Sequence, residues 1–367
     1  LVLKYLPNGS LAWDRFHGAA GLDDEAWNLA VDGGNVYVTG SSHLGGENFD
    51  IVTLKFDSGG VPLWIRTYDG AAHQRDIGYS IAANPSGVYV CGVTFVAGHG
   101  IDAVTLKYDP TGNPLPVWTA TYNGQGNDFD GVVDLAVDEQ QNVYVAGQTA
   151  NQPFPNTDFD YLIIKYDSGG SESWVQTHDG PAPGSNDYAY ELEVDGDGNV
   201  FVTGDEFEGP TPTDNDRNIV TLHYDTLGFQ TWLMKYDGPG LSVDYGRSLA
   251  LGPDYGNVYV CGLADRDITN MGIDYDYVTI HYSQEVLAVD AGPAPRPRNE
   301  LQVVPNPFAA FAAIPGRGSE RFSVIDASGR LVGKYLGERI GADLSPGVYF
   351  VILPEQGRRS LRMVKLH

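Results

Sequence analysis

An all-β fold is the class this sequence predicts, on three observations. A strand-like hexapeptide recurs six times, an NVYVTG-like run recurs five times, and no stretch carries a helical apolar period of useful length. Gly 46, Pro 22 and Tyr 22 beside only 3 Met complete the composition of a turn-rich β protein.

The hexapeptides LVLKYL, IVTLKF, AVTLKY, YLIIKY, IVTLHY and YVTIHY begin at Leu1, Ile51, Ala103, Tyr161, Ile219 and Tyr277. A Trp run (LAWDRF, LWIRTY, VWTATY, SWVQTH, TWLMKY) follows each of the first five. Next comes a short apolar run, LAVD, IAAN, LAVD, LEVD or LALG, starting at Leu29, Ile81, Leu135, Leu192 and Leu249. The VYV-type run closes each unit. All four runs alternate and favour Val, Tyr, Thr and Trp, as half-buried strands do. Turn residues separate them, including Asp-Gly-Gly-Asn at 32–35 and Asp-Gly-Asp-Gly-Asn at 195–199.

Four strands in a unit of about 55 residues fit a β-propeller blade. Five apolar runs of the innermost type predict five blades; the alternative is a ring of six or more whose first strands lie upstream of Leu1. The hexapeptide outnumbers the other strand types by one. Ring closure is expected to join LAWDRF to the last blade, leaving Leu1–Leu6 or Tyr277–Tyr282 as a surplus edge open to strand addition by another chain.

These units resemble the bacterial β-propeller repeats known as SBBP, over roughly residues 1–283. Residues 50–94 (DIVTLKFDSGGVPLWIRTYDG…SIAANPSGVYVCGVT) follow that signature most closely. The resemblance implies a fold and no shared catalytic activity. After Tyr282 the pattern stops, so the propeller is assigned to 1–286. Ala-Gly-Pro-Ala-Pro-Arg-Pro-Arg falls in a stiff linker over 287–300. Short strand-like runs over 301–367 predict a small β-sandwich. That stretch resembles the C-terminal sorting domain of type IX secretion substrates and the flagellar hook-cap immunoglobulin-like domain. Pro305-Asn306-Pro307, Asp326 to Leu331, Gly347-Val348-Tyr349 and Lys365-Leu366 carry the likeness. It implies export to the outside or the surface of a bacterial cell. The opening at Leu1, inside a strand-like run, implies a processed chain whose signal peptide is gone.

At 367 residues with 42% hydrophobic content, the chain is long enough for a sizeable core. The formal charge of −26 makes nucleic acid and anionic membranes poor partners. No apolar run approaches a membrane-spanning length. Charge is unevenly placed: 11 Lys+Arg stand against 7 Asp+Glu beyond residue 286, and 11 against 41 before it. A basic C-terminal domain docking on an acidic propeller, its own or a neighbour's, is one expected partnership; a surface glycan or protein is another.

One aspartate recurs five residues before each innermost-type strand: Asp24, Asp76, Asp130, Asp187 and Asp244. Around a channel mouth these would form a ring of oxygen ligands suited to Ca²⁺. Recurrence in every blade favours the plainer reading, a turn device accepting backbone N–H groups. Asp50, Asp102, Asp160 and Asp276, with Asn218 in the matching place, and Asp57, Asp109, Asp167 and Asp225 read as turn caps. Asp195, Asp197 and Asn199 mimic a calcium loop but lack its Gly and terminal Glu, and read as a hairpin.

The histidines read as structural: His17 and His178 at an aromatic packing position, His223 and His281 towards solvent. Cys91 and Cys261 occupy one small repeat slot and read as free, buried thiols. Trp13, Trp64, Trp118, Trp174 and Trp232 read as blade packing. Trp27 stands outside that register and, with Tyr188, Tyr190 and Tyr245, is a candidate lining of a channel-mouth pocket. No catalytic motif is present. The expectation is a non-enzymatic secreted scaffold or binding protein, self-assembling into a filament; the alternative is a propeller that binds or cleaves glycans.

Overall fold

A computed structural model describes residues 1–283 apart from 19–22, 44–47, 154–157, 183, 209–215, 239–242, 254–255 and 266–274. It also describes residues 321–365 apart from 327–329, 337–338, 341–342, 346 and 353–359. The described residues form strands and turns, with no helix long and apolar enough to cross a membrane. The chain divides into two compact units, Leu1–Ala288 and Val289–His367. The expected linker over 287–300 and the run at 301–308 lie outside the described residues.

In the large unit, β1 (Val2–Tyr5) pairs with β2 (Leu11–Arg15). Four antiparallel meanders follow. They are β3 (Asp24–Asp32) to β4 (Asn35–Ser42), β5 (Asp50–Phe56) and β6 (Pro62–Tyr68), then β7 (Ile77–Asn84), β8 (Gly87–Val96), β9 (Gly100–Tyr108) and β10 (Trp118–Tyr122). The third holds β11 (Asp130–Val137), β12 (Val143–Ala150), β13 (Phe159–Tyr166) and β14 (Glu172–His178). The fourth holds β15 (Tyr188–Val194), β16 (Val200–Phe207), β17 (Arg217–Tyr224) and β18 (Gln230–Tyr236). A three-stranded sheet closes the series: β19 (Tyr245–Leu251), β20 (Asn257–Asp265) and β21 (Tyr275–Ser283). First strands neighbour one another in turn, β3 beside β7, β7 beside β11, β11 beside β15 and β15 beside β19.

Turn chemistry sets the meanders. Oδ1 of Asp57, Asp167 and Asp225 accepts the backbone N–H two and four residues on, at 2.8–2.9 Å, closing the hairpin after the third strand. Asp195 does the same towards Asp197 and Asn199. Trp side chains then tie sheet to sheet. The indole N–H of Trp64, Trp118 and Trp174 donates to the carbonyl of Pro110, Ser168 and Thr226 in the next unit's turn, at 3.3 Å each. Trp13 does so to Ser58 at 3.2 Å, so β1–β2 stand towards β3–β6 as the outer half of one sheet stands towards the next.

Every first strand carries one β-bulge at the same repeat position, between Ala26/Asn28, Gly78/Ser80, Val132/Asp134, Ala189/Glu191 and Gly246/Ser248. A bulge re-aims the side chain it inserts. The second strand answers with a glycine. A Cβ at Gly40, Gly92, Gly147, Gly204 or Gly262 would stand 1.8–2.0 Å from the carbonyl oxygen of Glu25, Ile77, Gly131, Tyr188 or Tyr245. That requirement explains the Gly after VYV-x in each unit.

Several expectations are corrected. The VYV strands β8, β12 and β16 are not half-buried: Val88, Tyr89, Val90 and Cys91 on β8 are all fully buried, because sheets cover both faces, whereas β20 in the last sheet keeps the expected alternation, with Val258 and Val260 buried and Tyr259 43% exposed. LAWDRF does not complete the last sheet; β2 pairs with β1, and β21 stays an outer strand among the described residues. The two terminal sheets are open on one face. Leu29 is 53% exposed where Ile81, Leu135, Leu192 and Leu249 are buried, and Tyr277 is 94% exposed where Ile51, Tyr161 and Ile219 are buried. For the same reason Cys261 is exposed while its counterpart Cys91 is buried; both are free thiols. His223 does not face solvent but stacks on Trp232, ring centroids 5.3 Å apart at 9°, and burial lowers its pKa.

In the small unit, β22 (Arg321–Asp326), β23 (Leu331–Leu336), β24 (Gly347–Ile352) and β25 (Ser360–Lys365) form one antiparallel sheet in the order β23-β22-β24-β25. Phe322, Val324, Ile340, Tyr349 and Val351 make its core. The described residues hold this single sheet, not the two of a sandwich. Pro305-Asn306-Pro307, 327–329 and Leu366, which carry part of the sorting-domain likeness, lie outside them.

Candidate functional site

The bulges place one side chain per sheet on the inner surface: Trp27, Tyr79, Val133, Tyr190 and Arg247. Trp27, Tyr79, Val133 and Tyr190, with Gln148 and Tyr188, line one open depression of about 470 Å³. Trp27 is 52% exposed and meets Tyr79 edge to face, at 5.3 Å and 80°. Arg247 lies over both Tyr190 and Tyr245, at 4.5 and 4.7 Å from the ring centroids. Arg217 covers Tyr188 at 5.1 Å and is paired with the buried Asp205. Of the predicted lining, Trp27, Tyr188 and Tyr190 therefore share one site, and Tyr245 reaches it through Arg247. Tyr79, Val133 and Gln148 were not predicted; the alignment of Tyr79 and Tyr190 with Trp27 in the repeat was the available signal.

Beneath the depression, the residue after each bulge forms a polar belt. Asn28 Nδ2 donates to Ser80 Oγ at 3.3 Å, and Ser80 Oγ donates to Asp134 Oδ1 at 3.0 Å. Asp134 Oδ2 accepts the Leu192 N–H at 2.9 Å, and Glu191 Oε2 accepts the Leu249 N–H at 2.6 Å. Burial pushes the Asp134 carboxyl up to about 6, against those hydrogen bonds, with the Glu191 charge adding to the rise. Sequence reasoning missed this belt, since Asn, Ser, Asp and Glu at one repeat position share no obvious pattern.

The five recurrent aspartates turn back into their own loops. Asp76 accepts the N–H of Gly70 at 2.7 Å and of Phe95 at 3.3 Å. Asp130 accepts those of Gly124 at 2.7 Å and Ala150 at 3.2 Å, and Asp187 those of Gly180 at 2.6 Å and Phe207 at 2.7 Å. Asp244 accepts those of Gly238 and Asp265, and Asp24 the hydroxyl of Ser42. Asp76, Asp130, Asp187 and Asp244 thus pin the Gly of the preceding loop to the end of their own second strand, and Asp24 holds the end of β4 through Ser42. Among the described residues, the carboxylates within mutual ligand distance are not these five together; Asp76 and Asp187 each join two other aspartates instead.

Asp102 and Asp160 depart from the expected turn capping. Both are 3% exposed, and one oxygen of each, like Asn218 Oδ1 at the same repeat position, has no hydrogen-bond partner.

No protein-family model and no curated protein matches the sequence. The chain is similar in structure to a protein of unknown function from Bacteroides caccae, at 12% identity and a TM-score of 0.41, over 74% of this chain and 82% of that one. It is also similar to an endo-arabinase from Bacteroides thetaiotaomicron VPI-5482, at 13% identity and a TM-score of 0.36, over 71% of this chain and 95% of that one. TM-scores below 0.5 carry neither a fold nor an activity across to this chain.

Proposed function

We propose that the large unit is a β-propeller that binds a neutral glycan at its channel mouth, without cleaving it, as part of a secreted or cell-surface protein. The aromatic depression carries this reading. A half-exposed Trp27 beside Tyr79, Tyr188 and Tyr190 offers apolar faces for sugar C–H groups, and Gln148 offers both a donor and an acceptor. Acidic residues outnumber basic ones 41 to 11 before residue 287, a balance that repels polyanions and favours an uncharged ligand. Hydrolysis needs an acid and a base free to reach the scissile bond. Asp134, a partly buried acid next to the depression's Val133, has both oxygens hydrogen-bonded, which supports binding alone.

The succession of β3, β7, β11, β15 and β19 supports five blades in series. A ring of six or more is the second reading, favoured by β1–β2, which stand where the outer half of a further sheet would. A crystal structure of the full chain decides the count.

Screening the full chain on a neutral-glycan array, then measuring affinity for Trp27→Ala and Tyr190→Ala, tests the function. Retention of an oligosaccharide, lost in both variants and left intact on product analysis, is expected. Affinity unchanged in Trp27→Ala defeats the glycan reading, and a shortened product makes the protein a hydrolase.

A further inference from the structure

Strand β13 and the connection from β14 to β15 bring three carboxylates together at the junction between the β11–β14 and β15–β18 sheets. Asp160 starts the strand core of β13, Asp179 follows β14, and Asp187 precedes β15; one oxygen of each lies within 4.8 Å of the others. Asp160 and Asp187 are buried and Asp179 is exposed. Asp160 gives Oδ2 to Asn151 and leaves Oδ1 without a partner, although the residue is 3% exposed. Asp158, 7% exposed, likewise leaves Oδ1 without one.

Buried, converging anions with an unsatisfied oxygen need a compensating charge. The donors are all carboxylate oxygen, with no thiolate or imidazole among the three, a hard set that suits Ca²⁺, whose coordination is less strict than the octahedron of Mg²⁺. We propose that Asp160, Asp179 and Asp187 bind a calcium ion that clamps the two sheets at this junction. This differs from a ring around the channel, because the ligands come from one junction and two of them lie outside the recurrent five. A twin trio, Asp50, Asp69 and Asp76, repeats the geometry, but there Asp69 already holds His73 Nδ1 at 2.6 Å. The Asp102 junction has Asn123 in the matching place, and the Asp237 and Asp244 junction has Asn218, so each lacks one carboxylate.

The test is calorimetric titration of the full chain with CaCl₂ and, separately, MgCl₂. Neither measurement involves a glycan, so its outcome is independent of the function proposed above. A saturable calcium site of about 1 mM or tighter is expected, with a higher thermal midpoint in calcium and a weaker response to magnesium. Asp179→Asn, at an exposed position, is expected to weaken calcium at least tenfold with an unchanged circular dichroism spectrum. Asp160→Asn is expected to do the same, and Asp69→Asn to retain the site. No saturable calcium heat and no midpoint shift would overturn the proposal, as would Asp179→Asn binding calcium like the wild type.

Discussion

Trp27 and Tyr79, 52 residues apart, meet edge to face at 5.3 Å because each occupies the bulge of its own first strand and those strands are neighbours. The contact is a by-product of repeat register. It leaves Trp27 half in solvent, where an aromatic ring is free to take a ligand, while the other tryptophans are committed to joining sheets.

That division predicts opposite phenotypes for two Trp→Ala changes. Trp27→Ala is expected to shift stability by no more than about 1 kcal/mol while removing glycan binding. Trp64, 8% exposed and bonded to Pro110, is expected to cost about 3–5 kcal/mol on truncation. Urea unfolding of both variants checks this; equal losses would deny the division.

Asp134 makes stability depend on pH. Its folded carboxyl titrates near 6 against a usual 3.8, so the folded chain holds this proton where the unfolded chain has released it. Its contribution is fully present below about pH 4 and is lost as pH rises through 6, a change of roughly 3 kcal/mol. Asp134→Asn is expected to remove that slope, gaining on the wild type between pH 4 and 7. Parallel unfolding curves across the range would refute it.

The glycine opposite each bulge is a steric requirement. In Gly92→Ala the added methyl meets the Ile77 carbonyl oxygen at 1.9 Å, and the other nearest atoms are also β7 backbone, which cannot rotate away as a side chain can. A loss of about 3 kcal/mol is expected. Gly9→Ala, at φ +82 with nothing within 4 Å, is expected to cost only about 1 kcal/mol of backbone strain. Thermal midpoints of the pair check the order.

Asp130→Ala orphans the amide of Gly124 and takes the acceptor from the Thr149 hydroxyl, while the Ala150 N–H keeps the Phe129 carbonyl, and a loss of about 1–2 kcal/mol is expected. Its junction carries Asn123 in place of a third aspartate, so the loss is expected to be the same with calcium or with chelator. A calcium-dependent difference would place an ion there too.

The strand order, the hairpin aspartates and the packing role of five tryptophans were legible in the sequence, because period-two alternation and turn residues act over a few neighbouring positions. The recurrence of those signals multiplied their weight. Pairing of β2 with β1, burial of both faces of β8, β12 and β16, and exposure of Leu29, Cys261 and Tyr277 were decided only in three dimensions. Each depends on whether another sheet lies alongside, and identical repeat residues meet different neighbours at the middle and at the ends of the series. The same holds for the sites. A bulge is one unpaired residue, invisible to composition, yet it turns Trp27 and Tyr190 to one surface. Asp160, Asp179 and Asp187 read as three separate residues until tertiary packing brings their oxygens within ligand distance.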